Sequence, residues 1–589
     1  MLGAPSAMTE PEPVECPHGT RCGGCSFLGV PYALQLVQKG SLVRRAFARY
    51  PEHAALPIEP VSGAVPTHGY RVRAKLVWSP DGSLGLFARD SHDVVDIPEC
   101  RMLAPPLLRV ANVARRERGA LDLTGLDLRL VDRGVLVTLI AAQGTPLAAL
   151  EQLARRLSEA SPEIVGVAAS FRAHDAVSLL GKGHVRLLGE EVEPHHVRPG
   201  GPYHLAAHGA FVQAHLGQAE RAHAAIEGAL RELSARRVLE LYAGSAALSL
   251  SLAQAGFELT AVEAFGPALA HAERAAREQR LALLTVSGQA ERVTRALAER
   301  RERFDAVIVN PPRRGLAVDV RRALAELEPS AILYMSCDAA TLARDLRHFA
   351  ELGYRTAALW PFDMIPYSDA VESLVVMRRG ALPPPHVLHA DHELIAIAAS
   401  GYEGHTLLER VRGLPGAEQA VALAPLDEAH SGITLFARSA AALAGVHAAL
   451  AAGAQTFIAL ARGVTHKKGR IRRPLKGQRR SPPPVTSYQR QALEAGHSLV
   501  TVEPDSAGAR QICQHFAGIG HPILGDTRYG DAPSNLFFEH RHGLDRPFLH
   551  CSAIRLTRDS GPFELSCPLP GDLASVLASA SEPAAAHRE

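Results

Sequence analysis

Aromatic residues are scarce in this chain of 589 residues, at 5% of the total with only two Trp. That argues against broad stacking platforms for nucleic-acid bases. Charge of one sign is not in excess either. Lys and Arg number 63 against 61 Asp and Glu, a formal charge of +2, which excludes a simple polybasic tail but leaves room for local basic patches. Long apolar runs are missing. The longest, 440–454, is mostly Ala and broken by His447, short of what a membrane span needs. The opening MLGAPSAMTEPEPVEC has no basic and no apolar leader region, so a soluble, cytoplasmic protein without a membrane partner is expected. Eight cysteines are too few for a disulfide framework. Hydrophobic residues at 47% and charged residues at 21% exclude a wholly disordered chain or a collagen.

What is present suggests about four compact units at the usual ~150 residues each. Residues 1–15, rich in Pro and Glu, read as a disordered lead-in, and 576–589 as a disordered tail. From 16 to 205 the pattern is mixed. YALQLVQKGSLVRRAFARY has helical periodicity, while GYRVRAKLVW, LGLFARD and GVLVTLIAA read as strands. From 206 to 379, RVLELYA, ELTAVEA, FDAVIVN, AILYMS and ESLVVMR alternate with helical stretches, which predicts a doubly wound α/β sheet with parallel strands. GALPPPH at 380–386 reads as a linker. Residues 386–575 carry more β signal. Within them HKKGRIRRPLKGQRR places eight Lys/Arg between 467 and 480 with no acid, either an RNA contact or a solvated charged loop.

Four motifs in the 206–379 segment carry chemistry. Residues 237–246 end a strand in a small-residue turn that lets a ligand approach, with Glu263 placed to accept from a ribose; an ordinary βαβ unit is the bland alternative. Asn310-Pro-Pro-Arg-Arg-Gly stiffens the backbone at a strand C-terminus. An amino-methyltransferase would put an aromatic where Arg313 stands. Cys337 follows a strand and precedes a helix, whose N-terminus is expected to lower the thiol pKa. Alone it reads as a small buried hydrophobe, and Glu372 alone as a surface acid. Together with a nucleotide site they form the set that one chemistry needs. A thiolate adding to C6 of uracil makes C5 nucleophilic, and a base then removes the C5 proton. Separately, Cys16-x5-Cys22-x2-Cys25 with distant Cys100 supplies four thiolates, a pattern that fits zinc or an iron–sulfur cluster.

On these motifs, residues 16–378 resemble the RNA uracil-5-methyltransferases, most closely the short type acting on 23S rRNA. GlyAlaPheValGlnAlaHis (209–215) adds to the match. The resemblance implies a class I, Rossmann-like methyltransferase sheet preceded by an iron–sulfur-binding, β-rich region that faces RNA. It implies S-adenosylmethionine held by Gln213, Tyr242, Glu263 and Asn310. Cys337 would be the nucleophile, Glu372 the proton acceptor, and Cys16, Cys22, Cys25 and Cys100 the ligands of a [4Fe–4S] cluster, with zinc the alternative. Departures from the family pattern are Ala243, Ser245-Ala246-Ala247, Asn310 for Asp, Asp338 for Asn, His215 for Asn and Ala370 for His.

The C-terminal segment resembles the RluA-like pseudouridine synthases, an α+β fold, through 426–437, 457–463 and 511–530. Asp427 falls on that family's catalytic aspartate. Its usual surroundings are replaced by Ala424-Pro425, Phe457 and Cys513, so an RNA clamp that no longer turns over competes with an active synthase. The expectation is therefore an rRNA-modifying fusion enzyme of α/β and α+β units. A non-catalytic RNA-binding or ribosome-assembly factor and a small-molecule methyltransferase are its rivals.

Overall fold

The computed structural model describes residues 14–581, apart from 174–178, 182, 404–405, 424–429, 452, 477–481, 506–507 and 559–560. The cysteine-rich segment runs in turns. It is laid on the strand Leu84–Phe87 by the Cys22–Ala88 bridge and by Gly23 N–H donating to Phe87 O at 3.0 Å. That strand belongs to a seven-stranded sheet in the order Val94–Asp96, Leu84–Phe87, Arg73–Trp78, Leu123–Val131, Gly134–Ala142, Ile164–Arg172, Val185–Gly189. The alternation in RAKLVW buries Ala74, Leu76 and Trp78 against the helices Pro105–Glu117 and Leu147–Ala160. The helix Tyr32–Phe47 packs elsewhere: Val43 and Phe47 join the core of the following α/β unit.

That unit is built on a second seven-stranded sheet. Its order is Leu283–Ser287, Glu258–Glu263, Arg237–Leu241, Ala306–Val309, Ala331–Ser336, Glu372–Arg379, Tyr354–Phe362. Fully buried strands such as AVIV and AILYMS need helices on both faces and get them. The first five strands are parallel. The sheet departs from the all-parallel expectation at its far side. Glu372–Arg379 runs antiparallel, paired with Ala331–Ser336 and with the unforeseen strand Tyr354–Phe362. The chain reverses its order of march between Arg237–Leu241 and Ala306–Val309, which opens a crevice at the strand C-termini. Residues 57–63 run along Tyr354–Phe362 through the Ile58–Leu359 and Ser62–Phe362 bridges and cover that edge.

The 380–386 linker carries neither helix nor strand. Beyond it lies a ten-stranded mixed sheet, including Leu394–Ala399, Ser431–Ala437, Ala454–Ala461, Val485–Glu494, His497–Pro504 and Leu549–Arg558. Five residues of the basic run form the strand Lys468–Arg472, paired with Val485–Glu494; Lys468, Arg470 and Arg472 share its exposed face. Among the described residues, no helix is long and apolar enough to cross a membrane.

Candidate active site

One cavity of about 830 Å³ is lined by ten of the eleven residues singled out in the sequence: Cys16, Cys22, Cys25, Cys100, Gln213, Tyr242, Glu263, Asn310, Cys337 and Glu372. The eleventh, Asp427, lies outside the described residues, as do Ala424 and Pro425.

The sheet register makes the central pair. Ser336, the last residue of its strand, pairs with Ser373 on the antiparallel neighbour. Cys337 and Glu372 are the next residue on each side, so they stand opposite one another at the cavity mouth. Antiparallel pairing is what allows this, because it brings the start of one strand level with the end of the other. Cys337 is exposed, which excludes the buried-hydrophobe alternative. One carboxylate oxygen of Glu372 is buried with no hydrogen-bond partner. Burial pushes Glu372 up to about 7, while Arg313 pulls it back.

The expected lowering of the Cys337 thiol pKa is not what the structure gives. The thiol reaches solvent but is partly desolvated by the cavity walls. That desolvation pushes it up first, and the Glu372 charge next; Arg313 opposes both, and Asp338 adds to the rise. Asp338 is a smaller contributor, after desolvation and Glu372. It is the N-cap of the helix Ala339–Glu351 and accepts Thr341 N–H at 2.8 Å, so the helix terminus spends itself on the cap and the cap's negative charge sits beside the sulfur. His215 likewise serves as N-cap, to Leu216–Glu232. It accepts from Gln218 N–H at 3.3 Å, and its other nitrogen contacts Pro66 O at 2.8 Å.

The cofactor edge is a turn of unusual backbone. Tyr242 and Ala246 adopt φ of 61° and 54°, the left-handed region that non-glycine residues occupy at a cost of about 1–3 kcal/mol. Gly244 N–H donates to one Glu263 oxygen at 3.0 Å, and Phe265 N–H to the other at 2.9 Å. Each oxygen keeps lone-pair capacity for a second donor. The loop bearing Gln213 is tied down from the N-terminal sheet. Arg73, paired with Asp127 at 2.9 Å, donates to Ala210 O at 2.6 Å and Gly209 O at 2.9 Å.

Two anchors escaped the sequence reading. Lys39, fully buried, pairs with Asp363 at 2.5 Å and donates to the Ile365 and Ala370 carbonyls at 3.0 Å each. Gln35, one helical turn earlier, accepts Tyr367 N–H at 3.0 Å. Together they fix the loop that delivers Glu372. The available signal was the polar pair at i and i+4 on a face of YALQLVQKG that the packing buries. Arg313 is the second. Read only as a missing aromatic, it is the cation that faces both Cys337 and Glu372.

The four N-terminal thiols are all free and feel one another's charge. Burial, then Cys100, Cys22 and Cys16, push Cys25 up to about 12. Gly24 N–H points at Cys22 Sγ, 3.4 Å away. Among the described residues, no group of three or more His, Cys, Asp or Glu side chains could hold a metal ion as it stands.

Residues 206–380 match the family model described as tRNA (Uracil-5-)-methyltransferase. An uncharacterized RNA methyltransferase of Geobacter sulfurreducens is 27% identical over 379 residues, covering 62% of this chain and 76% of that protein. The crystal structure of Pyrococcus abyssi tRNA (uracil-54, C5)-methyltransferase with S-adenosyl-L-homocysteine matches 60% of this chain and 86% of that one, at 21% identity and a TM-score of 0.48. Human RNA Pseudouridylate Synthase Domain Containing 1 matches 33% of this chain and 90% of its own, at 20% identity and a TM-score of 0.28. The 206–380 segment thus matches methyltransferases of the uracil-5 type, and the chain is an RNA methyltransferase that uses S-adenosylmethionine.

Proposed function

We propose that the enzyme methylates C5 of a uridine in RNA, with 23S rRNA the first substrate to test, through a covalent adduct on Cys337. The observation that carries this reading is the Ser336–Ser373 register, which sets a sulfur nucleophile against a carboxylate of raised pKa on the wall of the Tyr242–Glu263–Asn310 cavity. The Cys337 sulfur bonds to C6 of the ring, and the C5–C6 π electrons move toward C5. S-adenosylmethionine, held by Gln213, Tyr242, Glu263 and Asn310, supplies when bound a methyl group on a sulfonium sulfur, the electrophile that the enriched C5 requires. Glu372 then accepts the C5 proton. The electrons of that C–H bond restore the double bond and expel the Cys337 sulfur, leaving 5-methyluridine. Arg313 offsets the mutual repulsion of the two anions.

The cysteine set fits a [4Fe–4S] cluster by its donor chemistry: four thiols lining one cavity, and an N–H aimed at one sulfur. A single zinc ion is the alternative for the same four thiols. Cys16, Cys22, Cys25 and Cys100 would hold the cluster, with a structural or RNA-positioning role, since methyl transfer has no redox step. Iron and acid-labile sulfide should be lost together in Cys25→Ser.

The C-terminal unit grips RNA in this reading. Lys467, Lys468, Arg470, Arg472, Arg473 and Lys476 are all exposed on and beside one strand and would neutralise phosphates. Whether Asp427 also isomerises a uridine is decided by the same experiment. Purified enzyme is incubated with separate rRNA and tRNA transcripts and S-adenosylmethionine, and nucleosides are mapped by mass. 5-Methyluridine in rRNA supports the reading, 5-methyluridine in tRNA alone redirects the substrate, and its absence from both overturns it.

A further inference from the structure

The methyltransferase and C-terminal units meet through buried charge, and the contact leads back to the active site. Asp545, in the segment before the strand Leu549–Arg558, forms an ion pair with Arg321, lies 3.5 Å from Arg344 Nε, and accepts the Tyr402 hydroxyl at 2.7 Å. Burial alone would push its carboxyl up, but the two guanidiniums hold it well below the usual carboxylate range. Arg321 also pairs with Asp345 at 3.0 Å, and Arg344 with Asp345 at 2.8 Å.

Those residues grip the Asn-Pro-Pro-Arg-Arg-Gly loop. Arg344 donates to Arg314 O at 2.8 Å, Asp345 accepts Leu316 N–H at 2.8 Å, and Thr341 donates to Arg313 O at 3.0 Å. Gly315, at φ 76°, is pressed so close that a Cβ there would lie 2.6 Å from Asp345 Oδ2 and 2.8 Å from Arg344 Nη2. Arg313 is the cation facing the Cys337–Glu372 pair. A second ion cluster crosses the same interface without touching this loop: Asp572 with Arg347 at 2.8 Å and with Arg546 at 2.7 Å.

We propose that Asp545, supported by Tyr402, is a positioning residue for the methyltransferase site, holding Arg321 and Arg344 so that the 313–316 loop keeps Arg313 in the cavity wall it shares with Cys337 and Glu372. The C-terminal unit is thus a working part of the first site, whatever chemistry it performs itself. This rests on the reading of Cys337 and Glu372 as the reacting pair, but its first test does not need RNA methylation.

The full-length chain is alkylated with iodoacetamide across pH 7–10, and the Cys337 peptide is followed by mass spectrometry. The groups facing that thiol are Glu372, Arg313 and Asp338. Asp545→Asn should slow Cys337 alkylation at pH 8 by threefold or more and move its midpoint upward. Asp545→Glu should restore much of the rate, and Asp572→Asn should leave it unchanged. Tyr402→Phe, which keeps every charge, should shift the midpoint in the same direction by less, and serves if Asp545→Asn does not fold. In the methylation assay, Asp545→Asn should lower kcat by tenfold or more with KM for S-adenosylmethionine within twofold. Equal effects of Asp545→Asn and Asp572→Asn, or an unmoved Cys337 midpoint in both Asp545→Asn and Tyr402→Phe, would overturn the proposal. A shifted midpoint in a chain that makes no 5-methyluridine would instead retire the proposed reaction and leave the positioning role standing.

Discussion

Resolution of the Cys337–RNA adduct should rise about tenfold between pH 6 and pH 8. The magnitude comes from Glu372. Burial lifts its carboxyl from the usual 4.5 to about 7, about 3 kcal/mol at 1.36 kcal/mol per pH unit. At pH 6 about a tenth of the groups carry the charge needed to accept the C5 proton, and at pH 8 about nine-tenths do. The same displacement has a stability signature of defined sign. Between 4.5 and about 7 the folded chain holds a proton that the unfolded chain has released, so stability falls as pH rises across that window. Glu372→Gln removes that cost, and should raise unfolding stability at pH 8 by up to about 3 kcal/mol while trapping the adduct. Single-turnover release of tritium from RNA carrying 5-tritiated uridine measures the deprotonation directly, and denaturing gels count the trapped complex. A flat release rate from pH 6 to 8, or wild-type release by Glu372→Gln, would refute the assignment of the base.

Cys337→Ala should abolish methyl transfer and adduct formation together; normal turnover in a filter-binding methylation assay would sink the covalent mechanism. Lys39→Met should leave Asp363 buried without its cation, a loss of about 3–5 kcal/mol, and lower kcat by tenfold or more. Chemical denaturation and kinetics read the two effects, and an unchanged midpoint would remove the anchor from the account. His208 is buried and its pKa is lowered to about 4. The unfolded chain therefore binds the extra proton below 6.5, and stability should drop by about 2 kcal/mol from this group alone between pH 7 and 5. Denaturation midpoints at the two pH values check it, with His208→Gln losing that share of the drop. Asp427→Ala should leave methylation largely intact; loss of both modifications by mass mapping would mean that the two sites work as one.

The proposed reacting pair was legible because each member sits in a short motif at a strand end, where a doubly wound sheet puts ligands. Their mutual approach was less so. ESLVVMR reads as a strand of the same sheet, but hydrophobic pattern carries no direction, and the antiparallel pairing is what levels Glu372 with Cys337. The neighbouring strand Tyr354–Phe362 was invisible because a bulge between Thr356 and Leu359 breaks its period and Pro361 ends it badly. Cys16, Cys22 and Cys25 stood out by their spacing and Cys100 joined them through the family resemblance, yet nothing local said that the strand Leu84–Phe87 would carry them to the wall of the cavity that holds Cys337. The Cys337 environment was misread for a comparable reason. A helix start was visible, but desolvation in the cavity and the Glu372 charge, with Asp338 on the helix terminus, outweigh it. Lys39 and Asp363 lie 324 residues apart, and no periodicity reports a pair of that kind.

These anchors share a physical logic that bears on how the enzyme assembles. The strand ends that form the crevice would be much the same in any doubly wound sheet; the loops that make it specific are each held by buried charge. Lys39 of the first helix holds the segment before Glu372. Arg73, with Asp127, holds the one bearing Gln213. Arg344 and Asp345, with Asp545 from beyond the linker, hold the one bearing Arg313. A buried ion left without its partner costs several kcal/mol, so Asp363 and Asp545 depend on the docking of the units that carry Lys39 and Arg321. The reactive geometry is then a property of the whole chain, and should disappear in conditions that separate the units while each sheet remains folded.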